Sequence, residues 1–129
     1  MRNLTHHHVN EMNEALTIEV VDEPGSGGAC HRYDVTGMDH LKNESATRGV
    51  PGKLVVLFQN GPILEHGVNG VTHEVLLAIL QDRLEGFQSG PYANEYNDLA
   101  LQHVIAAQSV LQLRTKERMD RGVEGTHTV

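Results

Sequence analysis

The sequence predicts an α+β fold, with an N-terminal antiparallel β-sheet followed by a C-terminal antiparallel two-helix hairpin. Short, alternating, β-branched runs are confined to the first half. The second half carries apolar residues at helical spacing, broken once by Ser89-Gly90-Pro91. Strands grouped before helices mark an α+β chain rather than an alternating α/β one. At 129 residues the length is that of one domain. The expected organisation is a polar, flexible tail over 1–14 and a single domain over 15–129. That domain divides into a β-rich part (15–70), a helical hairpin (71–121) and a C-terminal tail (122–129).

Residues 1–14 contain His6, His7 and His8 in a row, and their polarity predicts a frayed segment. Ala15 to Val21 alternates and reads as a strand. The loop Asp22-Glu23-Pro24-Gly25-Ser26-Gly27-Gly28 separates it from Ala29 to Thr36, which alternates again with Tyr33 and Val35 on one face and pairs back on it. Residues 37–52 are irregular and end on the turn Pro51-Gly52. Lys53 to Gln59 is the clearest strand, and Asn60-Gly61 predicts a hairpin with Ile63 to Glu65 as a short return strand. Thr72 is a helix N-cap, with Glu74 in the first turn. From there Val75, Leu76, Ile79, Leu80, Leu84 and Phe87 form an apolar stripe. A second helix is expected from near Tyr92 to about Met119, ended by Gly122 and Gly125. Its stripe is Leu99, Leu101, Val104, Ile105, Gln108, Leu111 and Leu113.

Composition narrows the function classes. The formal charge of −7 argues against a coat for a nucleic-acid polymer, which would be basic. Two Phe, three Tyr and no Trp leave a thin aliphatic core, the kind that a short chain completes by oligomerising. The single Cys30 forms no intramolecular disulfide and builds no thiolate metal site alone. No apolar run approaches the roughly 18 residues of a membrane span. The opening MRNLTHHHVN has no apolar signal core, so no export is expected.

Enzyme motifs fail one by one. His73-Glu74-Val75-Leu76-Leu77 begins like a zinc-protease helix, but Leu77 stands where the second His is needed. Gly49-Val50-Pro51-Gly52-Lys53 has the Gly-Lys of a phosphate loop but is too short and leads into a strand. Gly25-Ser26-Gly27-Gly28 lacks the strand-turn-helix setting of a dinucleotide fold. The paired His-apolar-Ser/Thr motifs of a phosphoesterase are absent. Cys30 and His31 are adjacent, so on a strand they point to opposite faces. No catalytic residue, metal or cofactor is expected.

The basic residues are uneven. Of ten Lys and Arg, four are Arg114, Lys116, Arg118 and Arg121. Arg114 and Arg118 are four apart and share a helix face, a pair suited to a phosphate or diphosphate, although cations there also complement the helix dipole. At the other end of the hairpin Phe87, Tyr92, Tyr96 and Asn97 flank the Ser-Gly-Pro turn. Aromatic faces stack bases and an Asn amide reads a base edge or a hydroxyl, while the same rings also serve to staple a turn. Asn97 and Arg114 are seventeen residues apart on one helix. That is about 25 Å, too far for one small nucleotide. Two hairpins packed antiparallel across a two-fold axis bring one copy's aromatic end to the other's arginine end.

The phrases FQNGP, GVNGVT, RLEGFQSGP and RGVEGTH, taken as a set, resemble the first family of Thoeris anti-defence proteins. The resemblance is dense from Gln59 to His127 and weaker back to about Ala15. It implies a phage protein acting in the cytoplasm of an infected bacterium. Such a protein sequesters cyclic ADP-ribose isomers made by bacterial TIR enzymes, glycocyclic ADP-ribose among them, without cleaving them. By motif, the family aromatic falls on Phe87, its Asn on Asn97, and its two arginines on Arg114 and Arg118. The aromatic is expected to stack adenine, Asn97 to bond base or ribose, and the arginines to hold the diphosphate, with Tyr92 and Arg121 beside them. The implied assembly is a homodimer with shared sites. Some members form hexamers, as trimers of dimers, and bind cyclic oligonucleotides at a separate site, the link to CBASS immunity. Where the family carries GPFACE, this chain has Gly90-Pro91-Tyr92-Ala93-Asn94-Glu95, which puts isomer preference in question. The tail 122–127 is expected to close over the arginine end. The competing readings are an enzyme that degrades a cyclic nucleotide signal and a hairpin that binds another protein.

Overall fold

A computed structural model describes residues 1–126 and 128–129. The chain falls into two compact units, Met1–Asn60 and Gly61–Val129, where the sequence reads as one domain. The first unit is a four-stranded antiparallel sheet in the order β1-β2-β3-β4, with β1 Arg2–Leu4, β2 Thr17–Val20, β3 Arg32–Thr36 and β4 Leu54–Leu57. The register aligns Leu4, Ile18, Val35 and Leu54 across the sheet, next to the row Val20, Tyr33 and Val56. Cross-strand partners share a face, so one side of the sheet is apolar, with Val20 fully buried within it. The opposite side carries Glu19, Asp34 and Arg32.

Residues 1–14 correct the expectation of a frayed tail. Arg2–Leu4 pairs with β2 as an edge strand, and α1 (Glu11–Ala15) follows, capped by the Asn10 side chain, which accepts from the Asn13 amide at 2.9 Å. The His7 ring Nε2 lies 2.6 Å from the Leu16 carbonyl oxygen and ties the intervening turn to the head of β2. Polarity concealed the strand, because an edge strand needs only one paired side.

Two devices hold the sheet's connections. Gly37, at φ +102°, ends β3 where an added Cβ would collide with the Ala15 carbonyl. Asp22 takes the backbone N–H of Arg32 at 3.0 Å and that of His31 at 2.9 Å, closing the glycine-rich loop onto the start of β3. The Arg32 amide, with the His31 amide beside it, holds the Asp22 carboxyl below its usual range. Asp34 is held low in the same way by the Arg32 guanidinium, and further by Lys53.

The second unit contains α2 (Ile63–His66), α3 (His73–Gln88) and α4 (Glu95–Asp120). The expected return strand at Ile63 to Glu65 is instead the single turn α2. Gly61 sits at φ +88°, and Pro62, fixed at φ −65°, caps a turn whose Glu65 and His66 amides both donate to its carbonyl. Helix α3 starts at the expected cap, the Thr72 hydroxyl accepting from the Val75 amide. Helix α4 starts three residues after Tyr92, because Asn94 caps it by accepting from the Asn97 amide at 2.9 Å. Gln88 and Asn94 bond reciprocally across the turn, and Gln81 meets Gln108 further along, which fixes the two helices as antiparallel.

The half-buried residues of α4 are Asn97, Leu101, Val104, Gln108, Leu111 and Thr115, and those of α3 include Leu77, Gln81, Leu84 and Gln88. Both sets alternate steps of three and four, a coiled-coil-like seam. The stripes expected from sequence therefore divide. Leu84, Leu101, Val104, Gln108 and Leu111 lie on the seam, whereas Val75, Ile79, Leu80, Leu99, Ile105 and Leu113 are exposed.

Replacing Gly37 by Ala should destabilise the sheet unit by about 1–3 kcal/mol, read as a lower urea midpoint at unchanged slope. Acid should weaken the same unit. A carboxylate with a depressed folded pKa adds stability above its unfolded value near about 3.9 and loses it as pH falls through the folded one. Asp22→Asn should thus cost stability at neutral pH, and its gap from the native chain should narrow by about pH 3 in parallel urea titrations.

Candidate functional site

The two ends of α4 carry different chemistry. At the N-terminal end, Phe87 from α3 and Asn97 from α4 line a cleft of about 360 Å³, floored by Leu80, Leu84 and Val104 and bordered by Arg83. The Asn94 cap places Asn97 in the first turn of α4 with its carboxamide unpartnered among the described residues. Phe87 is 38% exposed. Its ring also borders a second cleft, of about 330 Å³, with Asp82, Gly86, Gly90 and Tyr92. Tyr92 and Tyr96 are both well exposed. Sequence reasoning missed Arg83, whose guanidinium carbon stands 5.0 Å from the Phe87 ring centroid. Its spacing, one helical turn before Phe87, was the available signal.

At the other end Arg114 is exposed and, among the described residues, forms no ion pair. Arg118 is placed quite differently from Arg114. It is 8% exposed, the one buried residue described on α4. Its Nε donates to the Glu124 carboxylate at 3.1 Å, and its terminal nitrogens donate to the carbonyls of Thr128, Val123 and Thr126 at 2.6, 3.0 and 3.3 Å. Arg121 donates to Glu117 at 3.2 Å and to the Val129 carbonyl at 2.7 Å. The chain reverses at Gly122, φ +71°, where the Val123 amide donates to the Arg118 carbonyl and the Gly122 amide to that of Met119. This is a Schellman-type helix end. The tail thus folds over the arginine end, as the sequence led us to expect, although His127 lies outside the described residues. Of the three expected arginines, Arg114 alone has no side-chain partner among the described residues.

Asn97 and Arg114 stand on one unbroken helix, about 25 Å apart along its axis. One chain therefore keeps Phe87, Asn97 and Tyr92 together and Arg114, Arg118 and Arg121 together, but not the two groups with each other. No cluster of three His, Cys, Asp or Glu suited to a metal occurs among the described residues. None of the described helices is long and apolar enough to cross a membrane.

Arg118→Ala should destabilise the helical unit by on the order of 2 kcal/mol, since several charge-assisted bonds to the tail are lost together. Arg114→Ala should leave the melting temperature within about a degree, and paired thermal melts separate the two roles.

Comparison with known proteins gives an informative match. A protein named Thoeris anti-defense 1, from Bacillus phage SBSphiJ7, is 46% identical over 77 residues, which is 59% of this chain and 54% of the relative. The chain thus spans about half the length of the relative it matches. No protein-family model matches. The relative bears the name of the family that the sequence motifs resemble.

Proposed function

We propose that this chain, a relative of the Thoeris anti-defence 1 family, is a phage anti-defence protein that sequesters a cyclic ADP-ribose isomer, glycocyclic ADP-ribose, without cleaving it. The observation that carries the reading is the separation of an aromatic–amide cleft from an uncommitted arginine by one rigid helix. A small dianionic nucleotide needs both groups, and a second copy supplies the missing one. The exposed apolar residues Val75, Ile79, Leu80, Leu99 and Ile105 offer such a copy the surface that a hairpin with this little buried lacks.

In this reading Phe87 stacks the adenine, the Asn97 amide bonds base or ribose, and Arg114 of the second copy holds the diphosphate. Arg118 joins it only by exchanging tail carbonyls for phosphate oxygens. Otherwise it sets the position of the tail beside Arg114. Tyr92 and Arg121 border the two halves. The assembly is a homodimer, with a hexamer of three dimers as its larger form and a separate cyclic-oligonucleotide site as a further family property. The place of action is the cytoplasm of the infected bacterium.

The test is recovery of ligand. After incubation with glycocyclic ADP-ribose, heating should release the intact molecule in near-stoichiometric yield, and native mass spectrometry should show one ligand per chain in an even-numbered oligomer. A cleaved product in the released fraction would overturn sequestration and favour a signal-degrading enzyme.

A further inference from the structure

The aromatic half of the cleft already contains a cation from its own chain. Arg83 and Phe87 are one turn apart on α3 and project from the same face, with the guanidinium carbon 5.0 Å from the ring centroid. Arg83 borders both clefts that meet at Phe87, the one with Asn97 and the one with Tyr92. It is exposed, and among the described residues no carboxylate lies within ion-pair distance of it. Arg118, by contrast, is committed to the tail through its three guanidinium nitrogens.

We infer that Arg83 is a phosphate-binding residue of the cleft, acting from the same chain as the stacking aromatic. This rests on the nucleotide-binding reading above and deepens it. An exposed cation–π contact is weak and does not hold a guanidinium against a phosphate, whereas charge-assisted bonds from a planar fork to phosphate oxygens are strong and directional. The ring keeps the guanidinium beside the place where a base stacks, so its reorganisation on binding is small. A nucleoside stacked on Phe87 and bonded to Asn97 then presents its first phosphate to Arg83, leaving the second for Arg114 of the other copy. Divided this way, a diphosphate meets one free guanidinium from each chain. Arg83 selects for a phosphorylated nucleoside, and the second copy selects for the second phosphate.

Calorimetric titration of the 129-residue chain with glycocyclic ADP-ribose tests this across four chains: native, Arg83→Met, Arg83→Lys and Phe87→Ala. Arg83→Met, which keeps the aliphatic stem, should weaken binding about tenfold or more, and Arg83→Lys should recover part of the loss because the charge returns. Phe87→Ala should also weaken binding, with Arg83 in place. Because Arg83 is exposed, circular dichroism spectra of its variants should match that of the native chain. Native binding with Arg83→Met unchanged, or tighter, overturns the inference alone and makes Arg83 a cover over the ring. Absence of binding by the native chain overturns the sequestration reading, and this inference with it.

Discussion

Helix α4 runs from Glu95 to Asp120 without a break, held at its start by the Asn94 carboxamide and at its end by the Gly122 reversal. Its half-buried residues from Asn97 to Thr115 alternate steps of three and four, which keeps them in one narrow stripe. A straight helix separates its ends by a fixed rise per residue, so Asn97 and Arg114 cannot approach each other within one chain. The separation of the two clusters follows from this rigidity. A kink or a glycine in the middle of α4 would have allowed its two ends to approach each other. The sequence between Leu99 and Leu113 contains neither Gly nor Pro.

A second constraint governs the arginines. A guanidinium removed from water must have its donors satisfied, and the tail carbonyls satisfy those of Arg118. Burial gives Arg118 a structural duty that its neighbour one turn earlier does not share. Arg121 divides its bonds between Glu117 and the chain end. Thus three residues that look equivalent in the sequence differ in what they can offer an anion, and the difference lies in their solvation rather than their charge. Arg83 is the converse case, exposed beside an aromatic ring and without a carboxylate partner among the described residues, although it lies outside the basic cluster at the arginine end.

Much of the fold was legible because local chemistry and tertiary structure agree. Thr72 is a cap in pattern and in fact, Gly122 ends α4 where a left-handed residue is required, and Tyr33 and Val35 share the face their alternation implies. The misses occur where one signal overrode another. Asn60-Gly61 carries the composition of a hairpin turn, but Pro62 supplies no N–H to a return strand, and the chain turns helical instead. The polar run before Ala15 concealed an edge strand. Within the helices, apolar spacing located both elements but not which stripe faces inward, because Gln81 and Gln88 occupy seam positions that an apolar count passes over. For the candidate site, residue types and spacing identified the two clusters and their distance. The burial of Arg118 was hidden, since it depends on a tail that folds back only when Gly122 reverses the chain.

The net charge of −7 bears on all of this. At physiological salt a charge acts over a Debye length of about 8 Å, so the acidic residues of the chain repel a polyanion along its whole length but scarcely affect a small anion seated against a guanidinium. The exposed guanidiniums of Arg83 and Arg114, which form no ion pair among the described residues, are too few to neutralise a nucleic-acid backbone. Leu80, Leu84 and Val104 line the cleft beside Arg83 and give it an apolar wall. For an acidic chain with a few exposed cations, the compact anion proposed above is a better fit than a polymer, through contact geometry rather than long-range attraction.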